Sequence, residues 1–195
     1  EYAKSFLSEY DYIFYISPDG IPIEDNGVRE TNEYYRDKID LQIVRPATVC
    51  GISPRMRLDV SVNMLTIQAL TKKEITVFGG KQTRPNIHIE DITDLYLFFI
   101  QNPGFTGVFN AGFENLSILD IAEMVCKHID AKIRVQPSND PRSYRIDSSK
   151  LLGIGFKPKR TVADAISEIK KVYENGELED KPVFYNLNWM KENII

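Results

Sequence analysis

The chain is poor in the side chains that bind metals or carry redox chemistry. In 195 residues it has two cysteines, Cys50 and Cys126, and two histidines, His88 and His128. The cysteines lie far apart, which argues against a disulfide framework and against a cysteine-based zinc site. The histidines fall in different segments, so no metal centre is expected. Long apolar runs are missing as well. None reaches the roughly 20 residues of a membrane-spanning helix, and no signal-peptide apolar region stands out. Basic excess is also lacking: 24 Lys and Arg stand against 28 Asp and Glu, a net charge of −4. Bulk attraction to nucleic acid or anionic lipid is therefore not expected. An anionic ligand would have to be held by a few placed arginines. What remains is ordinary globular composition, 43% hydrophobic and 27% charged, for which a cytoplasmic protein is the default expectation.

Strand and helix signals alternate, which argues for an α/β fold. Residues 1–40 are the least coherent. Tyr12-Ile-Phe-Tyr-Ile-Ser17 reads as a strand closed by Pro18-Asp-Gly20, and Gly27 to Lys38 is helix-compatible. The first residue, Glu1, stands inside what reads as a structured segment, so a fragment or a chain with stretches dropped is expected. From Leu41 the text becomes regular. Leu41 to Val44, Ile75 to Phe78, Ile87 to Ile89 and Lys132 to Val135 read as strands. Leu58 to Leu70 and Asp91 to Gln101 carry helical periodicity. Asp91 is placed as an N-cap. Ser117 with Asp120, and Thr161 with Asp164, resemble capping boxes with Asp in the third position. After Gly176 the tail carries Phe184, Tyr185 and Trp189, aromatics that predict docking on something, a partner subunit among the options.

Four features could carry chemistry. Arg45-Pro-Ala-Thr-Val-Cys-Gly51 follows a strand, and loops at the C-terminal ends of strands are where open α/β sheets bind ligands. Arg84, in a turn before a strand, offers a fork that can grip a diphosphate. In the same stretch as Arg84, His88, between two isoleucines, reads as a satisfied structural histidine more than as a base. Arg142 and Arg145 lie three apart, so in an extended segment they point to opposite sides. Asn63 is a polar residue inside an apolar helical pattern, facing either solvent or a ligand.

Taken in order, these pieces resemble the extended short-chain dehydrogenase/reductases, the nucleotide-sugar epimerase/dehydratase family, over Leu41 to Tyr173. Arg45 to Gly51 resembles the family's LRPxxVYGP loop, with Cys50 where Tyr is usual. Ile75-Thr-Val-Phe-Gly79 is similar to its xxxxFG strand, and Arg84 with Ile87 to Asp91 to RDxIHVxD. Phe109-Asn-Ala-Gly112 is similar to YNxG, and Arg142 to Lys150 with Gly155-Phe-Lys-Pro158 to the closing Arg motif. Ser53-Pro-Arg-Met-Arg-Leu-Asp59 resembles a subgroup acting on bacterial surface-polysaccharide sugars.

The resemblance implies the later part of a Rossmann-type parallel sheet with a small mixed α/β substrate-binding lobe. It implies residues 1–40 as a remnant of the NAD-binding part, 41–175 as the last Rossmann strands with the nucleotide-sugar lobe, and 176–195 as a tail. It further implies NAD or NADP as cofactor and a nucleotide-diphosphate sugar as substrate, with hydride transfer at a sugar carbon, C4 by analogy. A homodimer formed through a two-helix face would be typical of the family. By the same analogy Pro46 lines the nicotinamide side and Thr48 faces the sugar. Asn63 contacts the diphosphate, Phe78 the base, and Arg84 and Arg142 the phosphates or ribose.

Two departures qualify this. None of the 11 glycines has the Gly-x-x-Gly-x-x-Gly spacing that brings backbone N–H groups to a pyrophosphate. The catalytic Tyr-x-x-x-Lys pair is read as missing from the chain. Tyr2 is followed at plus four by Phe6, and Asn26 and Glu30 stand in its phase. The alternative to an enzyme is a non-catalytic nucleotide-sugar-binding or subunit-interaction fragment.

Overall fold

The computed structural model of the chain describes residues 42–193. The strand expected at 12–17, the helical stretch expected at 27–38 and the positions of Asn26 and Glu30 lie outside the described residues. The first described strand, β1 (Gln42–Pro46), pairs in parallel with β5 (Gly107–Ala111). The Ala47 N–H extends that ladder by donating to the Ala111 carbonyl at 2.7 Å. The following residue, Gly112, must be glycine, because a Cβ there would lie 2.6 Å from the Ala47 methyl. After Ala47 the chain changes sheet. Strand β2 (Thr48–Cys50) runs parallel to β4 (Thr83–His88), and β4 is also antiparallel to β6 (Glu114–Ser117). A third parallel pair joins β3 (Glu74–Phe78) to β7 (Lys132–Gln136).

Helix α1 (Ser61–Lys72) packs against α3 (Ile118–His128) and α5 (Val162–Glu174). Helix α2 (Ile89–Gln101) follows β4 directly, and a short α4 (Ser149–Gly153) lies against β5. These elements build two cores. Leu65, Ile75, Ile121 and Ile166 centre the first; Val44, Leu95, Phe99 and Leu151 centre the second. The amphipathic stripes explain the division. On α5, for example, Val162, Ala165, Ile166 and Ile169 are buried along one face while charged residues take the other.

Both capping boxes form with Asp in the third position. Ser117 Oγ accepts from the Asp120 N–H at 3.0 Å, and Asp120 accepts from the Ser117 N–H at 3.1 Å. Thr161 and Asp164 repeat the exchange. Asp91 is not an N-cap, however. That place belongs to His88, whose Nδ1 accepts from the Glu90 N–H at 3.1 Å. The helix begins two residues before Asp91, and the buried Asp91 carboxylate instead accepts the Lys159 and Arg160 N–H groups, at 2.9 and 3.1 Å. The expected short strand Ile87 to Ile89 is likewise longer at its start, and Ile89 is already helical. Helix α1 starts at Ser61, three residues after Leu58.

The tail docks on its own chain. Phe184 and Tyr185 pack against the first core, and a C-terminal helix α6 (Asn186–Asn193) follows a 3-10 turn (Pro182–Phe184). Among the described residues no helix is long and apolar enough to cross a membrane.

Candidate functional site

Where β1 ends and the chain crosses to β2, a cleft of about 390 Å³ opens. Its wall carries Ala47 from the second core and Met56 from the first, so it lies where the two cores meet. Thr48 and Asn63 both face it, and Pro46 directly precedes Ala47. The cleft therefore sits at the C-terminal end of a parallel strand, where this class of sheet binds ligands.

The loop from Gly51 to Val60 shapes the cleft, and Asn63 holds that loop. Its Oδ1 accepts from the Gly51 N–H at 3.1 Å, and its Nδ2 donates to the Arg57 carbonyl at 2.9 Å. Asn63 is buried, so of the two readings of this residue the solvent-facing one is excluded. Gly51 has φ +106°, and a Cβ there would come within 3.0 Å of His88 Nε2 and the Ile89 side chain. Further along, Met56 and Leu58 are buried while Arg55 and Arg57 are exposed, an alternation that turns both arginines outward. Arg57 is committed to Asp59 by two bonds, Nε–Oδ1 at 2.8 Å and Nη2–Oδ2 at 3.1 Å. Burial alone would raise the Asp59 carboxyl, but the Arg57 bonds hold it below its ordinary value. Arg55 lines the cleft, its guanidinium 5.4 Å from the centre of the Trp189 ring.

Cys50, at the family's usual Tyr, is buried, and its Sγ–H donates to the Ile87 carbonyl at 3.5 Å. Burial, with Glu114 next in effect, pushes the thiol up to about 12. It is thus a neutral packing group at ordinary pH, not a nucleophile. His88 is buried too, with Nδ1 capping α2 and Nε2 3.0 Å from Glu168, which fits the structural role read from its flanking isoleucines.

The expected phosphate-binding arginines come together. Arg84 and Arg142, 58 residues apart, meet on one carboxylate. Arg142 binds Asp140 through Nε and Nη2, each at 2.8 Å, and Arg84 Nη2 reaches the same Asp140 at 3.3 Å. Arg84 also donates to the Arg142 and Thr83 carbonyls and lies over the Tyr144 ring at 5.4 Å. The Arg84 side chain is 15% exposed and that of Arg142 76% exposed, so the first props the loop and the second faces solvent. The Arg142 bonds, with Arg84 adding charge, hold Asp140 down at about 2. The exposed Phe78 ring stands at the end of β3, and the turn after it bonds to Gln136 at the start of the loop that carries Asp140 and Arg142. Thr48 pairs with Asn86, and Arg84 lies two residues before Asn86 on the same face of β4, about 7 Å along the strand.

Three participants escaped the sequence reading. Asp140 and Tyr144 give no signal until the fold closes 60 residues of chain onto Arg84. Arg55 was legible only as part of the Ser53 to Asp59 stretch. One expectation needs correcting on the sequence itself: Tyr34 and Lys38 do have the Tyr-x-x-x-Lys spacing. Both lie outside the described residues, close before Arg45. Among the described residues there is no such pair and no group of His, Cys, Asp and Glu that could hold a metal.

Residues 26–112 match the NAD dependent epimerase/dehydratase family. A putative GDP-L-fucose synthase 2 of Arabidopsis thaliana is 29% identical over 115 residues, covering 55% of this chain and 35% of that protein. Among solved structures, the UDP-glucuronic acid 4-epimerase of Bacillus cereus, in complex with UDP-glucuronic acid and NAD, aligns with TM-score 0.60 and 28% identity. That match covers 73% of this chain and 49% of the epimerase. The dTDP-glucose 4,6-dehydratase of Bacillus anthracis, in complex with NAD, aligns with TM-score 0.63 and 21% identity, over 77% of this chain and 50% of the other. The chain thus spans about a third of the length of the curated relatives it matches. Residues 26–112 thus resemble the NAD dependent epimerase/dehydratase family, and the α/β fold with parallel strands is the one these solved enzymes share.

Proposed function

We propose that the chain supplies the nucleotide-sugar side of an NAD- or NADP-dependent epimerase, dehydratase or dehydrogenase. The reaction moves hydride at a sugar carbon, C4 by family analogy. The setting is cytoplasmic synthesis of sugars for surface polysaccharide, a reading supported by the Ser53 to Asp59 stretch, and the assembly is a homodimer. The observation that carries the proposal is the meeting of Arg84 and Arg142, picked by motif alone, in one cluster. Two arginines gathered in one place supply the N–H donors and charge that a diphosphate needs, and the ligand would take the place of Asp140 on the exposed Arg142. Phe78 offers an exposed ring to the base, Thr48 borders the cleft for the sugar end, and Asn63, which braces the cleft loop, is assigned to the diphosphate.

The cleft beside Pro46, with polar and apolar walls, fits the nicotinamide end of the cofactor. Nothing described fits its pyrophosphate end, since no glycine-rich loop occurs there. When bound, the cofactor would accept or return the hydride. The chain's own residues bind and orient the sugar nucleotide.

Thermal denaturation with GDP, UDP, CDP and dTDP tests this. A binder raises Tm as ln(1+[L]/Kd). At least one is expected to do so, and Arg142→Ala to abolish the shift while lowering the unliganded Tm only slightly, because the Arg142–Asp140 pair is exposed. No shift with any of the four would overturn the reading.

A further inference from the structure

The tail and the cleft are joined at three points, and no family motif covers the joint. The Leu58 N–H donates to the Phe184 carbonyl at 2.9 Å, and the Asn186 N–H to Asp59 Oδ2 at 3.1 Å. Trp189 then lies against the Arg55 guanidinium. Phe184 and Tyr185 anchor this strap in the first core, and the Tyr185 hydroxyl donates to Asp180 at 2.7 Å. Every contact lands on residues 55–59, the stretch that also forms the outer wall of the cleft.

We propose that Trp189 is a positioning residue that holds Arg55 at the cleft wall, where its fork meets an anionic group of the bound ligand. The physics favours this division of labour. An exposed arginine loses much rotamer freedom on binding an anion. A ring at cation–π distance from the guanidinium restricts it beforehand while its N–H groups can still donate to an anion. Arg57, on the same wall, is paired with Asp59 instead of with the ring. Asp59 in turn accepts from the tail, so the strap fixes the loop at one end through Asp59 and at the other through Arg55.

The anionic-ligand part rests on the proposed nucleotide-sugar site; the positioning part does not, and the two are tested apart. In the ligand-free full chain, hydrogen exchange of the 53–59 amides is expected to quicken in Trp189→Ala and to return toward the wild-type rate in Trp189→Phe. Unchanged exchange in Trp189→Ala would overturn the positioning role. Calorimetry then measures Kd for UDP-glucose, UDP-glucuronic acid, GDP-mannose and dTDP-glucose. Trp189→Ala is expected to raise Kd about 3- to 10-fold, with no further rise in an Arg55→Ala background. An equal rise in both backgrounds would show that Trp189 does not act through Arg55. Altered exchange with none of the four bound would retain the strap and sink the nucleotide-sugar reading instead. Trp189 is the only tryptophan, so its emission also reports whether Arg55→Met disturbs the pair.

Discussion

Asn63 shows how much one buried amide can decide. Its two bonds use an acceptor on one side and a donor on the other, and no other side chain of its size supplies both. In Asn63→Asp the acceptor for Gly51 survives, but an oxygen now faces the Arg57 carbonyl. Leaving that buried pair unsatisfied costs about 1–3 kcal/mol. A protonated carboxyl can still donate to Arg57, so the folded state raises the new group above its ordinary carboxylate value. Its contribution is then present at low pH and is lost as pH rises through the folded value. Urea unfolding is expected to show a larger deficit near neutral pH than at about pH 4, close to the unfolded carboxyl's titration. A deficit independent of pH would mean that the Arg57 bond is not made.

At the scale of elements, what could be read depended on whether the signal was local. The Thr161–Asp164 box lies within four consecutive residues, and it forms as expected. Asp91 carries the same local look, but its carboxylate serves N–H groups 68 and 69 residues away, an arrangement that no local pattern contains. The strands β2 and β6 are 3 and 4 residues long, too short for periodicity to reveal. Thr161→Ala should therefore behave as an ordinary cap loss of about 1 kcal/mol. Asp164 is held below its ordinary value chiefly by the Thr161 hydroxyl. A depressed carboxyl stabilises above its unfolded value and loses that stabilisation as pH falls through the folded one. The wild-type advantage over Thr161→Ala, followed by chemical denaturation, is thus expected to hold near neutrality and shrink below about pH 4.

At the largest scale the described residues form two cores meeting at a cleft, an arrangement the motifs implied only as a substrate lobe beside a sheet. Their order along the chain gave the parts, but the meeting of Arg84 with Asp140 and of the tail with Asp59 depends on closure over long separations. The division into cores makes its own prediction. Phe99 is fully buried in the second core, its ring 5.0 Å from that of Phe109. Phe99→Ala leaves a large void there and should cost about 3–5 kcal/mol. If the two cores open separately, the loss falls on β1, β5 and α2. The amides of α1, α3 and α5, which surround Leu65 and Ile166, would keep most of their protection. Hydrogen exchange on Phe99→Ala reads this directly. Unequal loss is expected, because the cores are joined chiefly through β2, β4 and Ala47 between β1 and β2. Equal loss throughout would show one cooperative unit. A ligand seated in the cleft touches both cores, so saturating ligand should slow exchange in both and narrow the difference between them.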